Sequence, residues 1–152
     1  EAMSICDKVA VMNEGKIHQI DTPINLLNNP KTIFVSSFIL GNNIINLKKN
    51  GNSYISCLGE INCSEYLKNT SIKSMSISPK FISIKRSESG DAIVISKEFL
   101  GEFLIYKVTI NGNILRVRTD INNLLNNGDK CSLSINKNSY YFLYPGAYKE
   151  YI

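Results

Sequence analysis

Tryptophan is absent from this 152-residue sequence, proline occurs four times, and histidine occurs once, at His18. A single histidine leaves no Ser-His-Asp or Cys-His arrangement to assemble. On an expected strand, His18 reads as a surface residue. The four cysteines, Cys6, Cys57, Cys63 and Cys131, form no CxxC pair and stand at no zinc-ligand spacing from the histidine. Free thiols in a reducing compartment are the expected state, with no metal site. No GxxxxGK[ST] loop is present, so these residues do not hold a nucleotide in the P-loop manner. Nor does any apolar run approach the roughly 20 residues that cross a bilayer. The formal charge is +4, but lysine and arginine are scattered singly among acidic residues. A nucleic-acid face concentrates its cations, so no nucleic-acid partner is expected.

What is present is a sequence of two textures that change near Gly41. Residues 8–13 and 16–21 read as a hairpin around Asn13-Glu14-Gly15-Lys16, following the end of a helix. Thr22-Pro23 is an N-cap followed by proline at the first helical position, opening a short helix over 24–28 that stops before Asn29-Pro30. A second helix is expected over 32–40, closed by Gly41 as its C-cap. Beyond Gly41 the period falls to about two. Strands are expected over 44–48, 53–58, 72–78, 81–85, 92–99, 103–110, 113–119, 130–135 and 140–143, with a helical turn at 124–128. Asn50-Gly51-Asn52 and Asn111-Gly112-Asn113 are hairpin turns. Short strands at this spacing predict a mainly β chain, with a closed or partly closed barrel after a short α/β lead-in.

Few residues offer chemistry. Glu98 and Glu102 bracket a turn and read as a solvated pair rather than an acid/base couple. Tyr140, Tyr141, Phe142, Tyr144, Tyr148 and Tyr151 crowd the C-terminal end. They could stack on bases or sugars, or close a barrel, or line a subunit contact. No catalytic set emerges.

The segment EAMSICDKVAVMNEGKIHQIDTPINLLNNPKTIFVSSFI resembles the end of the nucleotide-binding domain of ABC-transporter ATPases of the binding-protein-dependent importer class. Glu1, Ala2, Asp7, Lys8, Val11, Met12, Gly15, Lys16, Gln19, Pro23, Asn29, Pro30, Phe34, Val35, Phe38 and Gly41 fall on the family pattern. Asp21 replaces the usual glycine, and Leu40 is inserted before Gly41. Further on, SISPKFISIKR resembles the R-P-E motif of the transport-associated OB (TOBE) domain, matching at Pro79 but with Ser78 and Lys80 replacing arginine and glutamate. The E-F-L-G hairpin of that domain is matched by Glu98, Phe99, Leu100, Gly101, Tyr106 and Val108, and its G-D strand by NNGDKCSLSI.

The resemblance implies residues 1–41 as the C-terminal remnant of the ATPase domain with its connector, and residues 42–152 as an OB-like (TOBE) regulatory domain. It implies a parent subunit that couples ATP hydrolysis to solute uptake, with the ATP and Mg sites and the switch histidine upstream of Glu1. The piece itself would then be no enzyme and hold no cofactor. Its implied partners are a second copy and membrane permease subunits, on the cytoplasmic, inner face of the cell membrane. Candidate regulatory or dimer-contact residues are Ser78, Pro79, Phe99, Leu100, Gly101, Glu102 and Tyr106. An alternative is an oxyanion-sensing module using Ser76, Ser78 and Lys80. A single-strand nucleic-acid OB-fold is disfavoured, because aromatics and cations do not alternate on the central strands. Without the rest of the ATPase domain, Val9, Val11, Ile17, Phe34 and Phe38 are expected to be partly exposed, with residues 1–41 frayed, folded back or swapped between copies.

Overall fold

In the computed structural model, residues 1–62 and 71–146 are described. Cys63, Tyr148 and Tyr151 lie outside them. The chain is mainly β, and each strand pairing is antiparallel.

The first forty residues follow their local signals closely. A short helix α1 (Ala2–Ile5) leads into a hairpin of β1 (Val9–Asn13) and β2 (Lys16–Asp21). Its turn takes positive φ at both Glu14 and Gly15, as the sense of strand twist demands. Thr22 caps α2 (Pro23–Asn28) by accepting from Asn25 N–H. Thr32 caps α3 (Ile33–Leu40) by accepting from Val35 N–H at 3.2 Å, and Gly41 ends it in the left-handed conformation. Asp21 is free of the positive φ that favours glycine. Its carboxylate instead accepts from Thr22 N–H and the Asn25 amide, which explains why the family glycine is dispensable here.

This lead-in is folded, not frayed. Val11, Leu26 and Val35 form a small core, with Met3, Val9, Phe34 and Ile39 against it. Val11 is therefore buried despite the expectation of exposure, because α2 and α3 fold over the hairpin. Ile17 and Phe38 do remain exposed. Thr32 serves twice, since its hydroxyl also meets His18 Nδ1 at 3.0 Å, and the His18 ring packs on Phe34. Thr32→Ala is expected to lower stability by about 1 kcal/mol, read as a shift in the urea midpoint. Hydrogen exchange should quicken first in α3.

After Gly41 the chain forms three sheets around one larger core. β8 (Ile82–Arg86), β9 (Ala92–Phe99), β10 (Phe103–Ile110), β11 (Asn113–Asp120) and β12 (Lys130–Ile135) make a five-stranded sheet in the order β11-β10-β9-β12-β8. Its outer strands pack against each other, and Asn123 spans them by donating to Ile84 C=O at 3.0 Å. The result is a partly closed, OB-like ring. Alternation drives it: Leu104, Tyr106, Val108 and Ile110 of β10, with Leu115 and Val117 of β11, turn inward and are buried. Each large aliphatic side chain so buried contributes about 1.5–3 kcal/mol.

The expected strands at 44–48, 53–58, 72–78 and 140–143 do not enter this ring. The first breaks into β3 (Asn43–Asn46) and β4 (Lys48–Asn50). β3 pairs with β7 (Ser74–Ile77), which pairs with β13 (Tyr141–Tyr144). β4 pairs with β5 (Ser53–Ser56), and β5 with β6 (Gly59–Asn62), whose Gly-Glu-Ile-Asn composition carries little strand signal. The helical turn expected at 124–128 does not form. Leu125 is buried there, its N–H donating to Tyr106 OH at 2.8 Å, while Asn126 N–H donates to Asp129 and Gly128 N–H to Val94 C=O. The Gly128 N–H, the one that a single turn would direct to Leu124 C=O, is taken by Val94 instead.

Candidate regulatory junction and contact surfaces

The lead-in and the β-rich body meet in a compact polar clasp. Ser36 of α3 and Ser76 of β7 are fully buried, with their hydroxyls hydrogen-bonded to each other. The Asn42 amide donates to Ser76 Oγ at 3.0 Å. Tyr144 OH, from β13, donates to Pro30 C=O at 2.7 Å. Burial pushes the Tyr144 phenol up to about 12, with the Ser36 hydrogen bond opposing. Pro30 is held in place from the other side. The buried Gln19 amide donates to Asn29 C=O at 3.1 Å, and its oxygen accepts from Lys31 N–H at 2.9 Å. Thus Gln19, Asn29 and Pro30 of the sequence pattern serve one structural purpose, which is to present the Pro30 carbonyl to the body.

A second tie runs from Asn43. Its side chain both accepts from Arg116 N–H and donates to Arg116 C=O, each at 2.8 Å, in the way a neighbouring strand would. Composition gave no signal for Asn43, Ser36 or Ser76, since asparagine and serine abound throughout. Gln19 could have been singled out from its place in the pattern.

The seven predicted site residues fall in three places. Phe99 and the turn Leu100-Gly101-Glu102 form the outward tip of the β9–β10 hairpin, with Phe99 65% and Leu100 44% exposed. Ser78 and Pro79 are half-buried at the start of a 3-10 turn (Pro79–Phe81) that packs beside β11. Tyr106 is fully enclosed, and its OH donates to Asn123 C=O at 2.9 Å while accepting from Leu125 N–H. Its side chain is a keystone of the ring and does not reach a surface contact.

Ser78 and Lys80 line a cleft of about 370 Å³ with Leu27, Ile39, Asn42 and Tyr140, where α2 and α3 meet the body. Ser76 is withdrawn from it into the clasp. Tyr140 sits edge-on to Phe81, whose ring faces Lys80 Nζ at 5.0 Å. Of the other C-terminal aromatics, Tyr144 is buried and Tyr141 and Phe142 are half-buried in the β13 sheet.

Charged groups in the body serve structure. Asp129 accepts from Asn126 N–H and from Arg86 at 2.5 Å, and these bonds hold its carboxyl below the usual range. Burial raises the thiols of Cys57 and Cys131, which disfavours the reactive thiolate. Cys6, Cys57 and Cys131 are unpaired. Among the described residues no three His, Cys, Asp or Glu side chains converge as metal ligands, and no helix is long and apolar enough to cross a membrane.

No protein-family model matches the chain. Curated proteins do. The spermidine/putrescine import ATP-binding protein PotA of Bacillus anthracis is 53% identical over 55 residues, covering 36% of this chain and 16% of the relative. PotA of Desulfitobacterium hafniense is 53% identical over 45 residues, covering 30% and 13%. The sn-glycerol-3-phosphate import ATP-binding protein UgpC 3 of Agrobacterium fabrum is 36% identical over 94 residues, covering 60% and 26%. The chain thus spans well under a third of the length of these relatives. Its homologues are ATP-binding subunits of ABC importers, and they match part of this chain.

Proposed function

We propose that this chain is the regulatory and dimerising C-terminal region of an ABC importer's ATP-binding subunit. Residues 1–41 close the nucleotide-binding domain and serve as connector, and residues 42–152 are a TOBE-type OB-like domain. The whole subunit would couple ATP hydrolysis to solute uptake, with ATP and Mg held by residues outside this chain. It would work on the cytoplasmic face of the membrane beside permease subunits. A polyamine is one candidate solute, by analogy with the named relatives.

The observation that carries the reading is the clasp of Ser36, Asn42, Ser76 and Tyr144 on Pro30. It joins the importer-like segment to the β-rich body through paired, buried polar groups, which are costly to separate. Motion of the ATPase domain would therefore reach the body as displacement of a unit, not as slack in a linker. The exposed Phe99 and Leu100 supply the apolar tip for a second copy.

Sedimentation velocity at micromolar concentration tests the dimer. A dimer is expected for the native chain, and Phe99→Glu with Leu100→Ser should shift it to monomer with the fold retained. A native chain that sediments only as monomer overturns the dimerising role.

A further inference from the structure

The outward face of β9, β10 and β11 carries a pattern that neither the ring nor the hairpin tip requires. Strand register places Lys107 directly opposite Arg116 on one side and Ser96 on the other. The next outward row sets Ile93, Thr109 and Ile114 side by side, and on the other flank stand the exposed Glu98 and Arg118 with Ile105 buried between them. Lys107, Arg116 and Arg118 are exposed, as are Ile93 at 42% and Ile114 at 63%. Like charges directly opposite on an antiparallel pair destabilise it. Neither Lys107 nor Arg116 has a salt bridge to a described carboxylate. Arg118 stacks its guanidinium 3.8 Å from the Phe103 ring centroid, which fixes the group while leaving its in-plane donors for another partner.

We infer that this face docks an acidic amphipathic helix of a partner protein. Its carboxylates meet Lys107, Arg116 and Arg118, and its aliphatic side chains lie on the row of Ile93, Thr109 and Ile114. Charge complementarity selects this occupant. A second copy would set cation against cation. A nucleic acid or an anionic membrane would meet an apolar row where it needs further cations. A helix laid across a sheet is also the ordinary way such a face is covered. Strand addition is not available at β11, whose free edge is occupied by Asn43 and β8.

The test is fluorescence anisotropy of the whole chain with a labelled Leu/Glu amphipathic peptide of about five helical turns, beside a matched Leu/Lys peptide. The expected result is binding of the Leu/Glu peptide alone, weakening between about 50 and 300 mM salt. Lys107→Glu with Arg116→Glu should weaken it by about tenfold or more, while Lys85→Glu, at an exposed position of β8, should leave it unchanged. Lys107→Ser should keep or raise the melting temperature, as relief of a repulsion requires. The proposal is overturned by absence of Leu/Glu binding or by equal loss in Lys85→Glu. It is also overturned if single-stranded DNA or phosphatidylglycerol vesicles bind this face more tightly than the peptide.

Discussion

Gly90→Ala is expected to destabilise the chain by about 3 kcal/mol, at the upper end of what one added methyl group does in a packed site. A Cβ at Gly90 would stand 2.1 Å from Cys131 O, 2.3 Å from Cys131 C and 2.9 Å from Ser132 N. These are backbone atoms of β12, so no side-chain rotation can relieve the overlap. The turn holding Gly90 must withdraw, straining Gly90 N–H to Ser87 C=O and Ser87 N–H to Lys130 C=O, both 3.0 Å. Since β12 lies between β8 and β9, the damage falls on the strand that joins β8 to the rest of the sheet. Equilibrium urea unfolding checks it, with Ser89→Ala in the same turn as a near-neutral control. Coincident midpoints for Gly90→Ala and the native chain would show that the turn has room to move.

Tyr144→Phe is expected to cost about 1–3 kcal/mol, the penalty for stranding a buried carbonyl when its donor is removed. The stranded group is Pro30 C=O, so the loss falls on the clasp between the lead-in and the body. Hydrogen exchange should accelerate in α2 and α3 while the ring strands stay protected. The same residue gives a pH signature. Its folded pKa, about 12, lies above the ordinary value of 10 because burial disfavours the phenolate. A raised folded pKa means the neutral form is the one stabilised. The contribution is thus complete below pH 10 and is lost as pH rises from 10 through about 12. The native chain should lose stability faster than Tyr144→Phe across that window. Parallel slopes for the two proteins would separate Tyr144 from the alkaline response.

Much of the fold was legible because local rules agreed with tertiary ones. Thr22-Pro23 and Gly41 act at the helix ends where their cap chemistry places them, and Thr32, expected as the first residue of its helix, is its N-cap. The strands over residues 92–99, 103–110 and 130–135 match β9, β10 and β12. Alternation in β10 and β11 was readable because one face of the ring is buried and the other wet. The helical turn at 124–128 failed for a largely nonlocal reason: Tyr106 OH and Val94 C=O claim the Leu125 and Gly128 amides, and the neighbouring Asp129 carboxylate takes that of Asn126. The candidate site was legible only in part. The apolar hairpin tip at Phe99 and Leu100 follows from a turn in an alternating pattern, whereas Tyr106 faces inward by strand parity. Serine at 36 and 76 is indistinguishable from surface serine until α3 is laid on β7.

The sequence by itself therefore determined the change of texture at Gly41, the helix caps, the hairpin turns and the absence of a P-loop or triad, since each rests on residues within one turn or one motif. Only the tertiary structure decided which strands close the ring. It also decided that Val11 is covered, and that Ser36, Asn42, Ser76, Tyr144 and Pro30 form one clasp. The clasp depends on partners 34 to 114 residues apart in the chain, where the satisfaction of buried polar groups, not local propensity, selects the arrangement.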